Sequence, residues 1–302
     1  MTQTAATLGD LQRSGRARLM AAGVDSAALD AALLLCAATG ERRETVMAYP
    51  ERPVESRVVD VFRAMIDRRA AREPVSRILG RREFWGLDFA VAAPVLDPRP
   101  DTETLVRAAL DWLDGRPATR IADLGTGSGC ILLALLHERP LDTGFGIDIS
   151  KDALDVARAN AASLGLSARA SFAVGDWTSG LPDGAVSLIV SNPPYIPHRD
   201  IAGLEPEVAV YDPIGALDGG ADGLDEYRRI AADLSRVLTP GGAAFLEIGA
   251  GQENDVAALL ERSGARVRRF PDLSGRIRCL GAFFAGPGEK DHFDVGKCLV
   301  DE

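Results

Sequence analysis

Histidine, cysteine and lysine are scarce in this 302-residue chain, and each scarcity removes a class of chemistry. The four cysteines (Cys36, Cys130, Cys279 and Cys298) are scattered, with no C-x-x-C pair, and the three histidines (His137, His198 and His292) are equally isolated. A zinc site needs ligands clustered at short spacing, so no metal is expected. Thiols placed this way suit a reducing cytosol better than a disulfide framework. No apolar run reaches about 18 residues, so a membrane span is not expected. The opening MTQTAATLGD lacks a basic segment followed by an apolar one, so no secretory signal is expected and a cytoplasmic location is. Lysine occurs only at Lys151, Lys290 and Lys297, and the net charge is −10. A partner held mainly by phosphate neutralisation is therefore disfavoured. The first 75 residues carry 11 basic and 10 acidic side chains and the remaining 227 carry 23 and 34, so the acidity lies in the part that holds the motifs below.

What is present is an ordinary globular balance, 46% hydrophobic and 26% charged, in a length that suits one large domain or two unequal ones. Leu8–Ala22, Ser26–Thr39 and Val54–Ala71 carry apolar residues at three- and four-residue spacing, and Gly23 and Gly40 sit where helices stop. Residues 1–75 are thus expected to form a small helical bundle, with Met20, Met47 and Met65 filling its core. Residues 76–97 contain an aromatic and β-branched stretch, Glu83–Val91, around Gly86, which predicts a hairpin connecting two domains. From 98 to 286 strands alternate with helices. The expected strands are Arg120–Leu124, Thr143–Asp148, Ala168–Val174, Val186–Ser191, Ala243–Ile248, Val267–Pro271 and Cys279–Phe284. The expected helices are Asp101–Leu113, Cys130–Glu138, Lys151–Leu164, Gly223–Leu238 and Asn254–Ser263. Such alternation implies an α/β fold with a mostly parallel sheet covered on both faces. The tail 287–302 is short and polar and is expected to be poorly ordered.

Asp123-Leu124-Gly125-Thr126-Gly127-Ser128-Gly129 runs from an apolar strand into a helix, and Asp148 ends the next strand nineteen residues after Gly129. In open parallel sheets ligands bind at strand carboxyl ends, where glycines let the backbone approach closely. A strand-end acid there can accept hydrogen bonds from two ribose hydroxyls. Dinucleotide sites want G-x-G-x-x-G. Here the spacing is G-x-G-x-G after Asp123, whose charge repels a pyrophosphate and suits the ammonium of a methionyl group. That favours S-adenosyl-L-methionine over a dinucleotide, with a structural glycine turn as the other alternative. Asp176 and Trp177 follow the third strand, where they can meet an adenine edge and face, or form a plain turn with a half-buried Trp.

The fourth strand ends in Ser191-Asn192-Pro193-Pro194-Tyr195-Ile196-Pro197. Paired prolines cannot continue a sheet, so a stiff loop starts at the cofactor edge. An amide or aryl-amine nitrogen is a poor nucleophile because its lone pair is delocalised. Two acceptors on its NH2 hydrogens, the Asn192 oxygen and the Pro193 carbonyl, favour a pyramidal nitrogen. Pro194 supplies rigidity and Tyr195 stacks on the flat group. The proton can leave after transfer, so no dedicated base is required, and His198 is read as a surface loop residue.

These segments, together with Pro98–Glu103, Glu205-Pro206-Glu207-Val208, Tyr211-Asp212-Pro213, Leu217–Leu224 and Leu246–Gly249, resemble the release factor glutamine methyltransferases (HemK/PrmC family) along nearly the whole chain. The resemblance implies a Rossmann-like class I S-adenosyl-L-methionine methyltransferase sheet with a small N-terminal helical domain that helps hold the substrate. It implies N5-methylation of the glutamine in the Gly-Gly-Gln motif of class 1 peptide-chain release factors, with S-adenosyl-L-homocysteine as product. Cofactor contacts are expected from Asp123, Leu124, Gly125, Thr126, Gly127, Asp148, Asp176, Trp177 and Asn192, and glutamine contacts from Asn192, Pro193, Pro194 and Tyr195. Asp97, where the family usually has an apolar residue, and the tail depart from the pattern. The main rival is an N6-adenine methyltransferase acting on DNA or RNA, which would need a basic groove to track phosphates. A non-catalytic binding module is the other. A monomer without membrane or nucleic-acid partners is expected.

Overall fold

The computed structural model describes residues 6–286. The expectation for the tail falls outside them. The described residues divide into two compact units: those up to Pro98 with Arg199–Leu217, and Arg99–His198 with those from Asp218 to residue 286. Residues 76–97 thus belong to the N-terminal unit, where the sequence suggested a linker. Residues 199–217, expected in the catalytic part, group with that unit too.

The N-terminal unit begins with helices Leu8–Ala21, Ala27–Thr39, Arg43–Ala48, Ser56–Ala70 and Val75–Leu79, followed by an antiparallel hairpin of β1 (Arg81–Phe84) and β2 (Leu87–Ala90). Helix Leu8–Ala21 starts where Thr7 and Asp10 cap each other's backbone N–H reciprocally. It buries Leu8, Leu11, Gly15 and Leu19, spaced three and four apart. A Cβ on Gly15 would lie 2.6 Å from Phe62 Cζ, so the crossing with helix Ser56–Ala70 requires glycine. Two of the three methionines expected in this core are on the surface, Met20 at 58% and Met47 at 64% exposure. Each follows a buried residue (Leu19, Val46) and is turned about 100° off the buried stripe by helix geometry. Met65 does pack against the core.

The 199–217 segment is tied to this unit by charge. Arg69, nearly buried, donates to Asp30 Oδ2 (2.8 Å) and to Glu207 Oε1 (2.8 Å), while Arg72 grips both oxygens of Glu207 (2.7 and 2.6 Å). Burial alone would raise the Glu207 carboxyl, but the bonds from Arg72 and Arg69 outweigh it and hold it below the usual range. Tyr211 OH donates to Ala71 O (3.1 Å), and Arg77 to Asp212 Oδ1 (3.1 Å). Asp97 is also buried here and accepts from Ser76 Oγ (2.7 Å).

The second unit is built on β3 (Arg120–Leu124), β4 (Thr143–Asp148), β5 (Ala170–Val174), β6 (Val186–Ser191), β7 (Leu238–Glu247), β8 (Arg266–Pro271) and β9 (Ile277–Phe283), in the order β5-β4-β3-β6-β7-β9-β8. β3 to β7 are mutually parallel and β9 runs antiparallel to β7 and β8. The expected helix Gly223–Leu238 is two, Asp225–Ala231 and Leu234–Val237. Asp233 lies at the break, its carboxylate accepting from Thr178 Oγ1 and Arg236. Helix Cys130–Glu138 is buried from Cys130 to Leu136. Strand order reverses at β3, and Leu124 pairs with both Ile147 and Ser191, so the carboxyl ends of β3, β4 and β6 stand level at the switch point where such sheets bind ligands. Among the described residues no helix is long and apolar enough to cross a membrane.

Candidate active site

Gly125, Gly127 and Gly129 have φ of 67°, 54° and 80°, a region that side-chain-bearing residues disfavour. A Cβ on Gly125 would also come within 3.1 Å of Trp177 Cζ3. The loop is strapped to the end of β4. Gly125 and Thr126 donate backbone N–H to Ile147 O (2.8 and 3.0 Å), and Gly127 N–H donates to Asp148 Oδ2 (2.9 Å). Asp148 Oδ1 accepts from Ser150 N–H (2.8 Å). Each oxygen of this half-buried carboxylate retains a lone pair, enough for a vicinal diol.

Asp123 is fully buried, and Thr126 Oγ1 donates to its Oδ2 (2.6 Å). Burial pushes its carboxyl up to about 7. Its Oδ1 is shielded from solvent and has no hydrogen-bond partner among the described residues. Leu124 is a core residue whose carbonyl accepts from Ser191 Oγ (2.7 Å), which fastens the two strand ends together. Trp177 has φ of 49°, uncommon for a bulky side chain. Its Nε1 donates to Glu226 Oε2 (2.5 Å) while its ring lies beside Gly125. Asp176 is exposed and pairs with Arg229. Glycines held at positive φ, a diol-ready carboxylate and an indole along the loop together fit an adenosyl ligand with a methionyl tail.

At the end of β6, Pro193 is buried and Asn192 half-buried. The Asn192 Oδ1 atom is shielded from solvent and has no hydrogen-bond partner among the described residues. A buried acceptor without a partner costs about 1–3 kcal/mol, which a ligand N–H can recover. Tyr195 is half-buried, and desolvation of its phenol beside Glu247 pushes it up to about 12. It is a neutral flat surface and not a base. His198 is exposed, with Nδ1 2.7 Å from Asp218 Oδ2.

Gln252 and the glycines of 218–224 went unnoticed in the sequence as parts of this site. Gln252 Nε2 donates to Tyr195 O (3.0 Å) and Gly223 O (3.2 Å), and its Oε1 accepts from Gly249 N–H (3.0 Å). A Cβ on Gly219 would lie 2.9 Å from Pro194 O, and one on Gly223 2.5 Å from Tyr195 O. The Asp-Gly-Gly-Ala-Asp-Gly run therefore exists to let one backbone lie against another. Gly223, at φ 77°, should lose about 1–2 kcal/mol of stability on substitution by Ala, from left-handed strain alone. Calorimetric unfolding and single-turnover assays of Gly223→Ala should show that loss and a methyl-transfer rate reduced more than cofactor affinity. A rate equal to wild type would separate this packing from loop placement.

Family models match at residues 10–80, described as the PrmC N-terminal domain, and at 102–204, described as a methyltransferase small domain. The release factor glutamine methyltransferase of Rhodospirillum rubrum is 52% identical over 296 residues, covering 97% of this chain and 90% of that protein. The protein of the same name from Caulobacter vibrioides is 46% identical over 275 residues, covering 91% and 95%. Among solved structures, the hMettl16 catalytic domain in complex with the MAT2A 3′UTR hairpin 6 aligns with a TM-score of 0.56 at 18% identity, over 75% of this chain and 83% of that one, a likeness of fold alone.

Proposed function

Because the chain belongs to the release factor glutamine methyltransferase family, we propose that it methylates N5 of the glutamine in the Gly-Gly-Gln motif of class 1 peptide-chain release factors, using the residues gathered at the ends of β3 to β6. It is a protein-glutamine methyltransferase that depends on S-adenosyl-L-methionine. When bound, that cofactor supplies an electrophilic methyl group and leaves as S-adenosyl-L-homocysteine.

The observation that carries the site assignment is the unpartnered Asn192 oxygen. Asn192 Oδ1 and the Pro193 carbonyl accept the two hydrogens of the target NH2, which disfavours its planar, delocalised form. Pro193 and Pro194 hold these acceptors without further ordering cost, and Tyr195 lies against the amide plane. The nitrogen sheds a proton after it has gained the methyl, so a neutral Tyr195 and an exposed His198 are no obstacle. Asp123, Leu124, Gly125, Thr126 and Gly127 cradle the methionyl end, Asp148 takes the ribose diol, and Asp176 and Trp177 border the adenine. The N-terminal helical unit holds part of the protein substrate. The enzyme works in the cytoplasm as a monomer.

Mass spectrometry of a release factor incubated with enzyme and labelled cofactor tests the substrate directly. The label should appear on the Gly-Gly-Gln glutamine, vanish when that Gln is replaced, and be absent from naked DNA. Labelled adenine in DNA or RNA would overturn the assignment.

A further inference from the structure

Asn192 stands beside Glu247. Ser191 pairs with Leu246 across β6 and β7, so the next residues at the two strand ends are neighbours. Glu247 is 2% exposed, a costly place for a carboxylate. The Thr102 and Asn192 side chains lie against its carboxyl and lower it, its Oε2 has no hydrogen-bond partner among the described residues, and Asn192 Nδ2 donates to Thr102 Oγ1 (3.3 Å). The Nδ2 end is thereby turned toward two acceptors, Thr102 and Glu247, and Oδ1 is the polar atom of the carboxamide without a partner among the described residues. The two ends of an amide are nearly the same size, so its neighbours decide which way it faces. A carboxylate only accepts, and therefore selects the NH2 end.

We propose that Glu247, with Thr102 beside it, is a positioning residue that fixes the orientation of the Asn192 carboxamide and keeps its oxygen free for the target NH2. This rests on the reading of Asn192 as an acceptor. The charge state of Glu247 then controls the site. Burial, partly offset by the Thr102 hydrogen bond, pushes its carboxyl up to about 7. Of the charged groups facing it, Asp101 raises it further and Arg278 of β9 opposes that, although Arg278 is itself paired with Asp101 (3.1 Å) and Asp272 (3.7 Å). The Tyr195 and Tyr227 phenols and the Cys130 and Cys279 thiols are all pushed upward by burial and stay neutral. A protonated Glu247 gains an O–H that can donate to Asn192 Oδ1. The reversed amide then satisfies the cluster and the acceptor is lost. The carboxylate is the active form, so the rate falls as pH drops through about 7. Asp123 titrates in the same range, but it lines the glycine loop, so its effect falls on cofactor affinity.

Single-turnover transfer to a release factor, at saturating cofactor from about pH 5.5 to about 9, separates these effects in wild type, E247Q and T102V. The Asn192 side-chain amide signals in ¹⁵N NMR are followed in parallel. Wild type should show an acid limb near pH 7, matched by titration of the amide signals. E247Q should lose both and be slower by about tenfold or more, the scale of a misplaced reacting group, with cofactor affinity unchanged. T102V keeps the carboxylate and removes a bond that lowers it, so its limb should move to higher pH, and it carries the test if E247Q does not fold. An acid limb that persists in E247Q, a limb unmoved in T102V, or amide signals that do not titrate in wild type would overturn the proposal. Titrating amide signals without transfer to glutamine would support the positioning role and contradict the substrate assignment.

Discussion

Replacing Asn192 by Ala is expected to lower the methyl-transfer rate by about 10²–10³-fold, the cost of removing one preorganised hydrogen-bonding group aimed at a reacting centre. The effect should be that large because the Oδ1 atom is already desolvated and unpartnered, with nothing to rearrange when the target arrives. Cofactor affinity should fall much less. The glycine loop takes its shape from Ile147 and Asp148, and Asn192 forms none of those bonds. Single-turnover rates combined with calorimetric cofactor titration would separate the two quantities. Equal losses in both would assign Asn192 to cofactor binding and not to the target nitrogen.

Asp148→Ala should produce the opposite pattern. Hydrogen bonding to a charged acceptor is lost, so cofactor affinity should drop by roughly 1.5–3 kcal/mol, about 10- to 150-fold. A second consequence follows from the backbone. Gly127 N–H would lose its acceptor, and a loop held at positive φ would lose a strap to β4. The drop should therefore exceed that of Asp148→Asn, which keeps one acceptor oxygen. An unchanged dissociation constant for Asp148→Ala would remove this residue from the site.

The parts of the site legible in the sequence are those where local rules and function coincide. The ends of β3, β4 and β6 lie where apolar runs meet the Gly125 loop, Asp148 and the Pro193-Pro194 pair, because glycine and proline stop strands for steric reasons that need no tertiary knowledge. What could not be read depends on contacts between distant segments. Glu207 meets Arg69 and Arg72 across more than 130 positions, so nothing local assigns 199–217 to the N-terminal unit. Gln252 is an ordinary polar residue until its amide is seen joining Tyr195 O to Gly249 N–H. Met20 and Met47 were misplaced because hydrophobicity alone does not say which side of a helix a residue occupies. Glu247 belonged to a recognisable Leu-Glu-Ile-Gly stretch, yet its significance arises only from the register that sets it next to Asn192.

Buried carboxylates at both ends of this site, Asp123 and Glu247, are each pushed up to about 7 by loss of water. In the proposed mechanism both act through orientation and field and not through proton transfer, in keeping with a nitrogen whose proton becomes acidic only after it has been alkylated.

The most direct measurement is a crystal structure of the enzyme with S-adenosyl-L-homocysteine and a glutamine-containing Gly-Gly-Gln peptide. The Asn192 Oδ1 atom and the Pro193 carbonyl oxygen should each lie about 2.7–3.2 Å from the glutamine side-chain nitrogen, with Nδ2 still turned to Glu247 and Thr102. A carboxamide rotated so that Nδ2 faces the peptide, or a glutamine nitrogen bound elsewhere along the sheet edge, would contradict the account.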